Sequence, residues 1–282
     1  MRIYPDCIIC NQRQAWEALA LIGVDREQTL KVVQAVACAM GELPSETTPA
    51  RATSLAHRIV RQMTRAADPY RQVKAGHTAA AVKLYPQLKA LVKEAEDPLR
   101  MALYIAITGN IIDLATSAEI NVRAEVEKIL RKKLTVDHYA HFRQDVEQAR
   151  AILYLGDNAG EVVFDRVLVE ELGPERVIYV VKGRPTLNDA TLEDAIAAGM
   201  DEVCRVITTG DDSVGVEFDR ASPEFLQVYA EADLVLSKGQ ANFESLSAVD
   251  KEVYFLLQAK CTAVPQELKV PRWSLILKKR NL

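Results

Sequence analysis

The pattern of hydrophobic and polar residues changes character near residue 150. From about Pro5 to Arg150, apolar residues recur with helical spacing almost throughout, interrupted only where Gly or Pro breaks the pattern. This part of the chain carries hardly any alternation typical of strands. The pattern therefore predicts an all-helical domain over residues 1–150.

After this point, short β-rich runs alternate with segments of helical periodicity. The runs, in chain order, are AILYL, RVIYVV, EVCRVIT, DLVLS and VYFLL. Strands that alternate with helices pair in parallel through right-handed crossovers. Residues 151–282 are therefore predicted to form a three-layer α/β/α domain with a mainly parallel sheet. No long linker separates the halves, so we expect the helical region to pack directly on the sheet domain.

Two helix starts in the second half are marked by capping residues. Thr191 precedes a helical segment and Asp194 follows three residues later, a spacing that suits a helix N-cap. Ser222 precedes Pro223, which places an N-cap before a proline at the first helical position. Both segments are predicted to begin helices that cross between parallel strands.

Composition and charge exclude several classes of function. The 282 residues are 49% hydrophobic and 26% charged, which is ordinary for a folded globular protein. A net charge of −4 provides no basic field for a phosphate backbone, so nucleic acid is not expected as a main partner. No apolar run is long enough to cross a bilayer and no signal peptide is apparent, so we expect no membrane association and a cytoplasmic location.

The five cysteines do not indicate a disulfide framework, because their number is odd and no export signal accompanies them. Cys7 and Cys10 form a CxxC at the start of the first helical pattern. This spacing serves redox chemistry or half of a zinc site, but no second CxxC completes a four-ligand set. A structural or incidental role is the favoured interpretation, and metal binding and a reversible disulfide stay open.

The first candidate site is the loop that follows AILYL, where an apolar run ends abruptly at Gly156. Asp157 and Asn158 supply hard oxygen ligands suited to Mg²⁺ or Mn²⁺ at the carboxyl end of a predicted strand. The helix that starts after Gly160 offers backbone N–H groups to an anion. The alternative is that Asp157 only caps that helix.

Two further strand-end loops carry polar residues of the same kind. Asp189 follows RVIYVV and emerges at the same sheet edge, where it is expected to join the same ion unless it only starts a helix. Lys238 follows DLVLS and is suited to a phosphate oxygen, Gly239 allows close backbone approach, and Asn242 adds hydrogen-bonding capacity. The alternative for this last loop is a surface turn with a solvated lysine.

Within the helical half, two segments are weaker candidates. Asn110 and Asp113 share one helical face inside an apolar run, which predicts that the helix lines a polar cleft or holds a satisfied structural network. Asp68-Pro69-Tyr70, with Lys74 four residues later, is a second candidate, although Asp-Pro alone often marks a helix start.

These motifs together resemble the metal-dependent damage-control phosphatases, formerly grouped as domain of unknown function 89, and in particular their small prokaryotic branch. The similarity spans nearly the whole chain. Of the six motifs given next, the three that begin at Gly156, Asn188 and Ser237 are together quite specific. The motifs that carry it are Cys7-x-x-Cys10, Asp68-Pro69-Tyr70, Gly109-Asn110-x-x-Asp113, GDNAGEVVFD from Gly156, Asn188-Asp189-Ala190-Thr191 and SKGQANFESL from Ser237.

The resemblance implies a helical region packed on a Rossmann-like domain with a divalent cation at the sheet edge. Matched motif to motif, Asp157, Asn158 and Asp189 correspond to the metal ligands, and Lys238 corresponds to the contact with the substrate phosphate. Members of the family hydrolyse phosphate esters of small metabolites, with Mn²⁺, Mg²⁺, Co²⁺ or Ni²⁺ supporting activity. The resemblance does not identify this chain's substrate.

We therefore expect metal-assisted hydrolysis of a phosphomonoester, with water as the direct nucleophile. An aspartyl-phosphate intermediate at Asp157 stays open, although position 159 is Ala where phosphatases of the haloacid dehalogenase type have the second Asp of DxD. Two alternatives from other classes are an S-adenosylmethionine-dependent methyltransferase and a non-enzymatic metal- or nucleotide-binding module. Against the methyltransferase, this chain has no carboxylate after Val181, where such folds usually place an acidic residue to hold the ribose hydroxyls of the cofactor.

Overall fold

The computed structural model describes residues 1–109 and 122–282. Within these two ranges, six helices precede the first strand and six more alternate with the strands. The helices are α1 (Pro5–Ile22), α2 (Arg26–Gly41), α3 (Pro49–Thr64), α4 (Arg71–Glu94), α5 (Pro98–Thr108), α6 (Val122–Lys132), α7 (Tyr139–Gln148), α8 (Val162–Leu172), α9 (Leu192–Ala197), α10 (Pro223–Glu231), α11 (Gln240–Leu246) and α12 (Ala263–Leu268).

The described residues form one seven-stranded sheet in the spatial order β1-β7-β6-β5-β2-β3-β4. All neighbouring strands pair in parallel except β6 and β7, which are antiparallel. The predicted α/β class with a mainly parallel sheet is thus confirmed. The strands are β1 (Val136–Asp137), β2 (Ile152–Leu155), β3 (Val177–Val181), β4 (Arg205–Thr208), β5 (Leu234–Lys238), β6 (Val253–Gln258) and β7 (Leu275–Lys279).

The five predicted strands correspond to β2 to β6. They could be predicted because the central strands are apolar on both faces and therefore form continuous apolar runs in the sequence. Every residue of β2, β5 and β6 is buried, as expected where helices cover both sides of a parallel sheet. Neighbouring residues of β2 enter different cores: Tyr154 packs with α5 and α8, and Leu153 packs with α10 and α11. The sheet is therefore the middle of three layers.

The prediction that residues 1–150 hold only helices missed one strand. The two-residue strand β1 lies at the sheet edge and pairs in parallel with β7. Val136 is partly buried and Asp137 is exposed. Two residues are too few to show an alternation that a sequence pattern could detect. Strand β7 was also not predicted. The proposed division into two domains at residue 150 stays a prediction.

The amino-terminal helices have their own core and also reach the sheet domain. Helices α1, α2 and α3 bury a cluster that includes Leu19, Val36 and Val60, whereas α4 and α5 pack against α8. Helix α4 also packs against the short 3-10 turn Ala159–Glu161 that follows β2. The helical region thus covers the loop that carries the first candidate site.

Both predicted helix caps are present. Thr191 and Asp194 form a reciprocal capping box at the start of α9, and the Ser222 hydroxyl accepts a hydrogen bond from the Phe225 backbone N–H at 3.2 Å. No helix in the described ranges is both long enough and apolar enough to span a membrane.

Candidate functional site

The loops after β2 and β3 are joined backbone to backbone at the carboxyl edge of the sheet. The Ala190 N–H donates to the Asp157 carbonyl oxygen at 2.8 Å, and the Ala159 N–H donates to the Asn188 carbonyl oxygen at 2.9 Å. Asn158 and Asp189 face each other as an isolated antiparallel bridge pair. The structure therefore brings together the two strand ends that carry the predicted metal ligands, as the parallel sheet requires.

Asp189 is buried with an oxygen that lacks a hydrogen-bond donor. Asp189 is 3% exposed, and its Oδ2 accepts no hydrogen bond from the part of the chain that the structure describes. The Lys182 ammonium lies 3.7 Å from this oxygen, which is an ion-pair distance rather than a hydrogen bond. Burial raises the pKa of Asp189 to about 6 despite the opposing charge of Lys182.

Asp157 lies in a site that disfavours a negative charge when no cation is present. Burial raises the pKa of its carboxyl well above the usual range, and the nearby carboxylates of Glu161 and Asp189 raise it further. Gly239 at the end of β5 has φ +80° and lies against this carboxylate. Two carboxyl groups with raised pKa values at one sheet edge mark a candidate functional site.

The amide of Asn158 is oriented by carboxylates. Its Nδ2 donates to Glu161 Oε1 at 2.6 Å and to Asp157 Oδ2 at 3.4 Å. Because both hydrogens of the amide nitrogen are used in this way, the group presents Oδ1 as its remaining polar atom. An amide oxygen is a suitable ligand for a hard cation.

Lys238 is buried beneath this edge and paired with two carboxylates. It is 1% exposed, and Nζ donates to Asp165 Oδ1 at 2.6 Å and to Glu161 Oε2 at 3.0 Å. Burial alone would lower the pKa of Lys238, but Asp165 and Glu161 raise it above its ordinary value. The predicted contact between Lys238 and a substrate phosphate stays a prediction, because two of its three hydrogens are already used.

Glu161 and Asp165 were not singled out from the sequence, yet both belong to this cluster. Asp165 is fully buried and also accepts hydrogen bonds from the hydroxyls of Tyr154 at 2.8 Å and Tyr179 at 2.7 Å. From the sequence alone, acidic residues at the start of a helix suit its dipole and need no other role. The signal that could have indicated them is their spacing of four residues, which places both carboxylates on one helix face. A lysine at a strand end, such as Lys238, could then pair with both.

The backbone N–H groups at the start of the 3-10 turn are less available than the sequence indicated. The Ala159 N–H donates to Asn188 and the Glu161 N–H donates to the Asn158 carbonyl oxygen at 3.0 Å. Val162 donates in turn to the Ala159 carbonyl oxygen. These three N–H groups therefore already have acceptors, and anion binding at this helix start stays a prediction.

Asn242 holds two strand ends together. Its Nδ2 donates to the carbonyl oxygens of Lys238 at 2.8 Å and Gly156 at 3.1 Å. Asn242 is 2% exposed, and its Oδ1 has no hydrogen-bond partner within the ranges described above. The predicted substrate roles of Asn242 and Gly239 stay predictions. Asn110 and Asp113, also predicted near the substrate, lie outside the described residues.

The residues present fit a divalent cation in their chemistry. The predicted set of Asp157, Asn158 and Asp189 contains two carboxylates and an amide. A cation would contact the Asp189 oxygen that lacks a hydrogen-bond donor and would offset the repulsion between the carboxylates. Among residues 1–109 and 122–282, no three His, Cys, Asp or Glu side chains are already gathered as a metal site. The metal therefore stays a prediction.

The CxxC lies elsewhere, in a cavity of about 330 Å³ between α1, α3 and α11. Cys7, Cys10 and Cys261 all line it, and all three thiols are free. Burial raises the pKa of Cys7 to about 11, so this thiol is protonated and weakly nucleophilic at neutral pH. This supports a structural rather than a reactive role for Cys7.

Comparisons with known proteins agree on one family. Residues 3–276 match the family model described as "Damage-control phosphatase ARMT1-like domain". The chain is 35% identical to a damage-control phosphatase of Pyrococcus horikoshii, over 98% of this chain and 97% of that protein. It is 31% identical to a damage-control phosphatase of Archaeoglobus fulgidus, over 96% of each.

A further relative and a solved structure extend this similarity to the fold. An uncharacterized protein of Methanocaldococcus jannaschii is 34% identical over 99% of this chain and 96% of its own length. The crystal structure of a DUF89 family protein from Pyrococcus horikoshii superposes with a TM-score of 0.93 at 32% identity, and the alignment covers 99% of both chains.

Proposed function

This chain belongs to the family of damage-control phosphatase ARMT1-like domains, and we propose that it hydrolyses phosphomonoesters of small metabolites with the help of a divalent metal ion. Sugar and cofactor phosphates are the substrate classes we expect. The metal is Mn²⁺, Mg²⁺, Co²⁺ or Ni²⁺. A cytoplasmic location is part of the same proposal.

The observation that carries the proposal is the joining of the loops after β2 and β3. Through it, Asp157, Asn158 and Asp189, whose Oδ2 accepts no hydrogen bond from the described residues, share one sheet edge. Ligands bind at the carboxyl ends of strands in open α/β sheets. A divalent cation held by these residues would polarise a phosphoryl oxygen and neutralise charge on the ester.

The protein's own residues supply orientation and charge balance. Glu161 fixes the Asn158 amide, and Gly239 allows the β5 end to lie against Asp157. Lys238 adds one positive charge, which pairs with the two buried carboxylates of Glu161 and Asp165. In this arrangement the main effect of Lys238 is to offset the negative charge of the site. Its third ammonium hydrogen is the one that would reach a phosphate oxygen.

Water is the proposed direct nucleophile. Asp157 is assigned to the cation rather than to attack on phosphorus, because position 159 is Ala and not the second Asp of the DxD motif that aspartyl-phosphate phosphatases of the haloacid dehalogenase type use. Mass spectrometry of protein quenched during turnover tests this point. A phosphoryl group trapped on Asp157 would contradict the direct attack of water.

The experiment that tests the function is phosphate release from p-nitrophenyl phosphate and from a panel of sugar and cofactor phosphates. Each divalent metal and EDTA are compared, with Asp157→Ala and Asp189→Ala beside the wild type. We expect metal-dependent release that both substitutions abolish, with the fastest esters indicating the substrate class. No release by folded wild-type protein with any metal would overturn the proposal.

The methyltransferase alternative has no support at the end of β3. Cofactor-binding sheets of that class place an acidic residue there to hold ribose hydroxyls, but the strand is followed by Lys182. Its ammonium donates to the Gly215 carbonyl oxygen at 2.5 Å and pairs with Asp189. A buried lysine that faces the candidate metal ligands suits an anionic substrate better than a ribose.

A further inference from the structure

Lys74 is a buried cation that joins the helical region to the segment after the second site loop. It lies in the first turn of α4 and is 3% exposed. Nζ lies 2.9 Å from Asp68 Oδ2 and 2.9 Å from Asp194 Oδ2. Asp68 precedes α4 and Asp194 lies in α9, so one ammonium group bridges two parts of the fold. Buried ion pairs of this kind are weak evidence for stability and can instead fix geometry.

From Asp194 the connection continues toward Asp189. The Asp194 Oδ2 atom that contacts Lys74 also accepts hydrogen bonds from the Thr191 backbone N–H at 2.9 Å and from the Thr191 hydroxyl at 2.7 Å. Thr191 lies two residues after Asp189 and forms a bridge pair with Lys182. The position of the Asp189 backbone is therefore tied to α4 through charge-assisted hydrogen bonds.

A second ion pair between the same helices provides a natural comparison. Arg71 lies one turn before Lys74 and pairs with Glu193 at 2.9 Å, but these side chains are 71% and 73% exposed. Neither is hydrogen-bonded to Thr191 in any contact that the structure gives. Exposed pairs of this kind contribute little. Of these two ion pairs, that of Lys74 is therefore the one that is both buried and connected to Thr191.

We propose that Lys74 is a positioning residue that sets the affinity of the site for its divalent metal, acting through Asp194 and Thr191 on Asp189. The inference rests on the proposed function. Residues that orient metal ligands without touching the ion typically change metal affinity by about 10- to 100-fold when they are replaced. With the metal saturating, Asp189 is already held in place, so the rate of hydrolysis changes much less than the affinity does.

The test is calorimetric titration of EDTA-treated, dialysed protein with Mn²⁺, with the thermal shift at each concentration as a second readout. Lys74→Met and Asp194→Asn each remove the ion pair between α4 and α9. Asp194→Asn is the milder change, because Lys74 keeps Asp68 and the asparagine oxygen still accepts from Thr191. Arg71→Met is the matched control.

We expect Lys74→Met and Asp194→Asn to weaken Mn²⁺ binding by about 10- to 100-fold, and Arg71→Met to change it by less than about 2-fold. The double variant of Lys74 and Asp194 is expected to weaken binding no more than the stronger single variant does, because both act through one connection. At saturating Mn²⁺, kcat of Asp194→Asn is expected to stay within about 3-fold of the wild type.

The outcomes separate this inference from the proposed function. If wild-type protein binds no Mn²⁺, or if Asp189→Ala binds it as tightly as the wild type does, the proposed metal site is wrong. If wild-type protein binds Mn²⁺ through Asp189 but Asp194→Asn binds it equally well, the role of Lys74 is overturned. A lower melting temperature with unchanged Mn²⁺ affinity would show a purely structural role and also overturn it.

Discussion

Gly239 lies against the carboxylate of Asp157, so closely that a Cβ at position 239 would overlap both carboxylate oxygens. The glycine also has φ +80°, a conformation that side chains other than glycine rarely adopt. The end of β5 can therefore approach the end of β2 only because position 239 lacks a side chain. This contact restricts where the Asp157 carboxylate can lie.

Gly239→Ala is expected to reduce metal-dependent phosphate release by more than about 100-fold, because the new methyl group displaces Asp157 from its position. The strained backbone and the overlap should also lower the free energy of unfolding by about 1–3 kcal/mol. Enzyme assays and urea denaturation measure the two effects.

Gly76→Ala is the control, since Gly76 lies inside α4 and a Cβ there meets no atom within 4 Å. That variant should keep its activity and gain up to about 1 kcal/mol. Full activity in Gly239→Ala would contradict the account.

Lys238→Met is expected to lower the free energy of unfolding by about 3–5 kcal/mol, because it leaves Glu161 and Asp165 buried without their cation. Urea denaturation checks this value. Lys83→Met removes an exposed lysine from α4 and should change stability by less than about 0.5 kcal/mol. If Lys238→Met proves as stable as the control and loses only substrate affinity, Lys238 is mainly a substrate contact.

Asp189→Asn is expected to stabilise the metal-free protein while abolishing stabilisation by metal. The pKa of Asp189 is raised to about 6 by burial, so the folded state binds a proton more tightly than the unfolded state does. Its contribution to stability is therefore present at pH 4 and lost as the pH rises through about 6. Removing the ionisable group should gain about 1–3 kcal/mol at pH 7.5 and much less at pH 4.

Urea denaturation of EDTA-treated protein at the two pH values measures the gain, and Asp212→Asn is a control of opposite sign. Burial alone would raise the pKa of Asp212, but hydrogen bonds and charge from Arg58 and Arg61 lower it. Asp212→Asn should therefore destabilise the protein at pH 7.5. A metal-free Asp189→Asn that is less stable than the wild type at pH 7.5 would contradict the proposed electrostatics of the site.

The fold was largely predictable, because the central strands are continuous apolar runs bounded by polar loops. Strand β7 was not predicted: its buried residues Leu275, Ile276 and Leu277 are followed by two lysines, and a run of three is too short to distinguish a strand from other buried segments. Its antiparallel pairing with β6 also departs from the alternation of strands and helices that indicated the other five.

For the site, the sequence indicated which loops meet but not how the side chains pair. Asp157, Asn158 and Asp189 could be placed at one edge because parallel strands end there together. The partners of Lys238 could not, since Glu161 and Asp165 lie 77 and 73 positions away in the chain. A lysine at a strand end looks like an exposed phosphate ligand until the tertiary structure shows that it is buried.

The most direct test of the central claim is phosphate release by EDTA-treated protein as Mn²⁺ is added back, compared between wild type and Asp189→Asn. We expect no release without metal and saturable recovery with Mn²⁺ in the wild type. In the folded variant we expect no recovery at any Mn²⁺ concentration that saturates the wild type. Release that persists in EDTA, or equal recovery in Asp189→Asn, would contradict the claim that Asp189 holds the metal that supports hydrolysis.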